Sequence, residues 1–251
     1  MTMGSLDTGG TVPGDEALGL GHEEPHAGGM ASRLNWLRAG VLGANDGIVS
    51  TAGIVLGVAG ATASRSVILT AGIAGLAAGA LSMAVGEYVS VSTQRDTERA
   101  LLAKERRELH ETPDEELAEL TGIYLAKGLS ADVAREVAEQ LTAHDALGAH
   151  AEAELGINPD ELSSPWHAAF ASLVAFTVGA LLPLLAIALP PPGGRVLVTV
   201  VAVVLALVCT GVVSARLGHS PWRRPLARNV AGGLLAMGIT YGIGSLVGVA
   251  V

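Results

Sequence analysis

Charge is scarce in this sequence, and aromatics are scarcer. Only 16% of the 251 residues are Asp, Glu, Lys or Arg, and 3% are Phe, Trp or Tyr. An ordinary soluble domain uses more of both, so a conventional aqueous globule is excluded. Cys209 is the single cysteine, which rules out an intrachain disulfide. It lies in an apolar run, where a small buried thiol is expected. Basic residues are few: 15 Lys and Arg against 24 Asp and Glu give a net charge of −9, which argues against nucleic acid as a partner. No Gly-x-x-x-x-Gly-Lys-Ser/Thr loop is present, so transport driven by ATP hydrolysis in this chain is not expected. No nucleophilic triad can be argued, and the N-terminus lacks the basic-then-apolar pattern of a cleavable leader.

What the sequence has is long uncharged stretches of Ala, Val, Leu and Ile, with 33 glycines. About 20 apolar residues cross a bilayer. Five such segments are predicted: Ala39–Ser64, where Asp46 is the only charge; Ser66–Gly86; one within His167–Gly194, ended by Pro190-Pro-Pro-Gly-Gly; Val196–Ala215; and Asn229–Val251. Gly-x-x-x-Gly spacings such as Gly43/Gly47, Gly53/Gly57 and Gly244/Gly248 predict close helix packing. Residues 1–31 are polar, rich in Gly and Pro, and are expected to be disordered. Within them His22-Glu-Glu-Pro-His26 matches the zinc-protease pattern, but Pro25 breaks the helix that the pattern needs. A solvated linker is the reading there, with a weak metal-scavenging tail as the alternative.

Lys and Arg collect on one side of the five spans: Arg33 and Arg38, the basic residues of segment 88–165, and Arg216, Arg223, Arg224 and Arg228. The other side has only Arg65 and Arg195. The N-terminus and the long polar segment are therefore expected in the cytoplasm, with the C-terminus outside. The expected fold is all-α: transmembrane helices 1–2 over residues 32–90, a three-helix cytoplasmic domain over 91–163, and transmembrane helices 3–5 over 164–251. In the polar segment, helix 2 continues to about residue 111. Thr112 caps a second helix with Pro113 at its first position, and Gly128 stops it. Ser130 caps a third, carrying the stripe Val133, Val137 and Leu141 and a break near Gly148. Trp166 is placed as an interfacial anchor.

Two constellations stand out. Asp46 in helix 1, with Met83 and Glu87 in helix 2, are polar or polarizable groups in apolar runs. An ionisable residue there costs about 2.5–3.5 kcal/mol on insertion scales and is a functional candidate by default. Rise per residue puts Asp46 and Met83 in the cytoplasmic half of the membrane, and Met83 and Glu87 share a face. Carboxylate oxygen with thioether sulfur suits a transition metal such as Fe²⁺. Asn45, Ser50 and Ser82 can assist or merely satisfy backbone. Equally, Met83 can be packing, and Glu87 can mark the interface. The second constellation is acidic. Glu105/Glu108 and Glu116/Glu119 are paired on two consecutive helices, and folding across Pro113 lets four carboxylates face each other, as in di-metal bundles. Glu152, Glu154, His144 and His150 can add ligands. Such pairs are also common on solvated faces.

These residues resemble the vacuolar iron transporter family over about residues 32–251. The carriers are Gly43-Ala-Asn-Asp-Gly-Ile-Val-Ser, Ala77-Ala-Gly-Ala-Leu-Ser-Met-Ala-Val-Gly-Glu-Tyr, and the glutamate spacing around Thr112-Pro-Asp. The resemblance implies a homodimer of five-helix subunits with the metal-binding domain inserted between helices 2 and 3. It implies a path at the dimer interface lined by helices 1 and 2, and movement of Fe²⁺ and often Mn²⁺ out of the cytosol in exchange for protons. By position, Asp46 and Met83 match the family's pathway residues. Glu105, Glu108, Glu116, Glu119 and Glu154 match its metal-binding glutamates. Two departures matter. His150-Ala151 replaces a methionine pair, which makes the site more nitrogen-rich and leaves Zn²⁺ open beside Mn²⁺. Gly75 replaces a further carboxylate, leaving Glu87 as a substitute. The expected protein is thus a metal/proton antiporter of a prokaryotic plasma membrane, with no permanently bound cofactor. The alternatives are a membrane-anchored metal-binding or sensing protein that moves nothing, and a carboxylate ferroxidase, for which no Glu-x-x-His pair is convincingly placed.

Overall fold

The structure, a computed structural model, describes residues 27–160, 162–217 and 221–250. The His22–His26 motif and the rest of residues 1–26 lie outside that range. From Ala27 onward the backbone is helical, so the expected tail ends about five residues earlier than residue 31. The described residues form seven α-helices and one π-helical turn, and no strand is found among them. The helices are α1 (Ala27–Ala61), α2 (Arg65–Glu111), α3 (Pro113–Ala126), α4 (Ala131–His150), α5 (Pro165–Ala188), α6 (Arg195–Leu217) and α7 (Arg223–Ala250), with the π turn at Ala151–Leu155.

Five of them, α1, α2, α5, α6 and α7, contain segments long and apolar enough to cross a membrane. They are apolar all round, as spans are, and pack into one bundle. Its core draws Ile48, Ala52, Val55 and Leu56 from α1, Ile68 from α2, Leu184 and Ile187 from α5, Val203 and Leu207 from α6, and Met237 from α7. Between spans the helices approach through glycine. A Cβ at Gly47 would strike the Phe176 carbonyl of α5, and one at Gly244 would strike the Gly57 carbonyl of α1. The Gly-x-x-x-Gly spacings therefore serve packing within the subunit. Cys209 departs from expectation: its side chain is exposed on the outer surface of α6 rather than buried.

α2 is one continuous helix of 47 residues. At about 1.5 Å per residue it is roughly 70 Å long, more than twice a hydrocarbon core. Its second half is charged and carries α3, α4 and the π turn packed against it. Pro113 opens α3 at its first position, and Gly128, at φ +98°, ends the turn after it, as its freedom from a Cβ permits. Two caps differ from expectation. Neither Thr112 nor Ser130 makes a side-chain cap bond; the Thr112 hydroxyl instead donates back to the Glu108 carbonyl. The buried stripe of α4 is also displaced by one residue. Ala134 and Ala138 are buried and Val133 is 48% exposed, because the small alanines let α4 close on α3 around Leu120. Trp166, at the start of α5, is exposed and stacks obliquely on Tyr88 of α2 at 4.8 Å between ring centres.

Candidate functional site

The acidic constellation condenses around one histidine. α4 is interrupted at Asp145, whose backbone leaves the helical region (φ −155°, ψ 92°). The Asp145 carboxylate accepts the Gly148 N–H at 3.0 Å and so restarts the helix. Immediately afterwards the chain widens into the π turn. Together these features swing His150 inward, fully buried, with Glu154 one turn on. Around its Nδ1 stand Glu105 Oε1 of α2 at 3.0 Å, Glu116 Oε2 of α3 at 3.6 Å and Glu154 Oε2 at 3.9 Å. Glu105 and Glu116 are buried as well.

The contacts are close, yet His150 Nδ1 and Nε2, Glu105 Oε1 and Glu116 Oε2 all lack a hydrogen-bond partner. Distance is satisfied and direction is not, since a bond needs the N–H aimed at its acceptor. These atoms thus crowd together without bonding one another. Ligand atoms of Glu105, His150 and Glu154 lie within 4.8 Å of one another, a spread that one metal ion can bridge. Buried polar atoms without partners are costly, so a cation that engages them supplies what the apo protein lacks.

Electrostatics agree. Burial, followed by the neighbouring carboxylates Glu154, Glu116, Glu108 and Glu119, pushes Glu105 up to about 7. Burial and then Glu119 also raise Glu116, opposed by His150. Glu108 and Glu119 thus act on the cluster through space, but neither joins its inner shell here. Glu108 binds Lys104 at 2.6 Å, and Glu119 is exposed. They form a rim. Glu152 and His144 are exposed outside it.

The membrane constellation is built around Phe176 of α5. Its carbonyl abuts Gly47 of α1, its ring abuts Gly79 of α2, and Met83 packs against it with Ala80 and Ala180. Gly47, which follows Asp46 in α1, and Met83 of α2 therefore meet the same α5 segment. Asp46 is half-buried and accepts the Ser50 hydroxyl at 2.6 Å, one turn along its own helix. Among the described residues, no hydrogen bond joins Asp46 to Asn45, Ser82 or Glu87. Asn45 is half-buried with its Oδ1 unpartnered, Glu87 is half-buried, and Ser82 is exposed. Ser50 thus proves the direct neighbour of Asp46, which the four-residue spacing could show. Arg195, treated in the sequence only as a sign of sidedness, is 6% exposed.

Five membrane-length helices, and on the extension of the second a buried Glu/His cluster of a kind able to hold a metal ion, mark a multi-pass membrane protein with a candidate metal centre. Comparison with known proteins narrows this further. The VIT family model matches residues 37–245, so the chain belongs to the VIT family. It is 45% identical over 212 residues to a vacuolar iron transporter of Acanthamoeba castellanii, covering 84% of this chain and 78% of that one. It is 39% identical over 215 residues to vacuolar iron transporter homolog 5 of Oryza sativa subsp. japonica, covering 85% and 81%. To vacuolar iron transporter homolog 4 of Arabidopsis thaliana it is 38% identical over 219 residues, covering 87% of each chain.

Proposed function

We propose that this protein moves Fe²⁺ and Mn²⁺ out of the cytosol in exchange for protons. The observation that carries the reading is the set of buried, unpartnered ligand atoms on Glu105, Glu116 and His150 at the end of a helix that also forms a span. Membership of a family whose relatives are named iron transporters supports metal as the cargo. In this reading residues 91–163 are a cytoplasmic metal-binding domain inserted between the second and third spans, and the C-terminus is outside. The membrane is the plasma membrane, and two subunits pair with α1 and α2 along the path.

Mechanistically, the rim carboxylates Glu108 and Glu119 draw in the hydrated cation. The inner shell of Glu105, Glu116, His150 and Glu154 then takes it up, and Glu105 and Glu116, whose carboxyls are held above their ordinary range, give up protons as it binds. One nitrogen beside several oxygens suits Fe²⁺, Mn²⁺ or Zn²⁺ better than a thioether-rich site would. Released towards the membrane, the ion meets Asp46 and Met83, with Asn45, Ser82 and Glu87 near the route. A carboxylate in a low-dielectric span can take a proton in place of a cation, which couples the two flows.

The test is flux in proteoliposomes, with Fe²⁺, Mn²⁺, Zn²⁺ and Ca²⁺ in competition, with and without a pH gradient. Gradient-driven uptake of Fe²⁺ and Mn²⁺ is expected, and D46N should abolish it while the protein still purifies as a folded species. Metal binding by the full chain without any flux would instead establish a membrane-anchored binding protein.

A further inference from the structure

The end of the bundle remote from the glutamate cluster holds a cavity of about 310 Å³. It lies where α1 ends, α2 begins and α6 begins, some forty residues along α2 from Glu105, or about 60 Å. Gly60, Ala61, Thr62, Ala63, Arg195 and Tyr241 are among the residues that line it, and none of its lining residues is acidic.

Arg195 is the singular member. A guanidinium stays charged at any physiological pH, and a buried one normally faces a carboxylate. This one is 94% buried, and no ion pair to it is found among the described residues. Nη1 donates to the Ala63 carbonyl at 3.1 Å. Nε is buried and has no acceptor among the described residues. With Nη1 engaged, the remaining edge is that of Nε–H and Nη2–H. That edge presents two parallel donors, the fork that grips two oxygens of a phosphate. The same residue is the first of α6, so the free N–H groups of that helix's first turn open at the same place.

We propose that the Arg195 cavity binds a phosphate-type oxyanion. Its depth, at the ends of the spans, makes two sources available: the headgroup phosphate of an anionic phospholipid, or free phosphate from the aqueous side. Both would be held by the Nε/Nη2 edge of Arg195 and the first N–H groups of α6. The anion would also neutralise a charge that no acidic side chain among the described residues pairs with.

The experiment is thermal unfolding of the full chain in an uncharged detergent, titrated with sodium phosphate or with short-chain phosphatidylglycerol, against sodium chloride at matched ionic strength. A saturable rise in Tm of about 3 °C or more is expected for at least one probe. A rise with inorganic phosphate assigns a free-anion site, and a rise with the lipid alone assigns a headgroup site. R195Q should lose at least half of that rise. A63L, which keeps the Ala63 carbonyl but adds bulk at the cavity wall, should do the same and decides the matter if R195Q fails to fold. The proposal is overturned if neither probe raises Tm above the chloride control, or if the folded variants keep more than half of the rise.

Discussion

Glu105 is protonated well above the usual carboxylate range, and the sign of that shift has two consequences. Its value in the folded protein, about 7, lies above that of the unfolded chain. The metal-free fold therefore binds this proton more tightly than the unfolded chain does. The contribution to stability is complete below about pH 4.5. It is lost as the pH rises through 7. Cation binding has the opposite trend, because Glu105 must release its proton to become a ligand. Metal affinity measured by calorimetry is expected to climb between pH 6 and pH 7.5. E105Q should weaken binding by about 10- to 100-fold and flatten that climb. The same variant should raise the metal-free Tm above pH 7, since it removes a charge that burial and the neighbouring carboxylates disfavour. A variant that lost binding and stability together would argue that Glu105 is structural. E119Q, on the exposed rim, is expected to leave the inner shell intact and to lower affinity by less than E105Q does.

At the scale of the helix, the interruption of α4 decides where His150 points. Asp145 holds the restart through its bond to Gly148 N–H. Loss of a cap of this kind costs about 1 kcal/mol. D145A should therefore lower metal affinity although Asp145 lies outside the inner shell, and D145N, which keeps the acceptor, should restore it. Close crossings make a second prediction. Gly47 packs on the Phe176 carbonyl, so G47V has no space and should cost about 1–3 kcal/mol in the folded fraction measured in detergent.

Helices of this kind were legible from composition. Uncharged runs located all five membrane-length segments, and Pro113 and Gly128 bounded α3, because chain chemistry alone enforces both. A break in α4 near Gly148 was legible as well, and it falls at Asp145; the π turn and the buried face of α4 were not. Val133 is the larger apolar residue, and only the proximity of α3 makes Ala134 and Ala138 the packed pair. Nor does spacing tell Glu105 and Glu116, which are buried, from Glu108 and Glu119, which are not. That choice depends on how α3 and α4 rotate onto α2. Arg195 was invisible for the same reason, since burial of a lone cation at a helix start leaves no periodic trace.

Across the whole molecule, two buried polar sites stand at opposite ends of one axis. The glutamates stand at one end of α2, and the guanidinium of Arg195 sits in the cavity beside its other end. Between them α2 runs without a break, and that continuity fixes an angular phase. Glu87 and Glu105 are eighteen residues apart, about five full turns, so both project along the same line of the helix roughly 27 Å apart, with Met83 one turn further back on that line. The helix behaves as a keyed shaft: the inner cluster and the Met83/Glu87 pair are clocked to one another by residue count, and no joint exists to absorb an error. One residue inserted after Ser92 would turn the cluster by about 100° relative to the span, whereas seven would restore the angle to within about 20° while lengthening the shaft by about 10 Å. Proteoliposome flux should be lost in the first variant and substantially recovered in the second. Equal flux in both would mean that the two ends work without angular register.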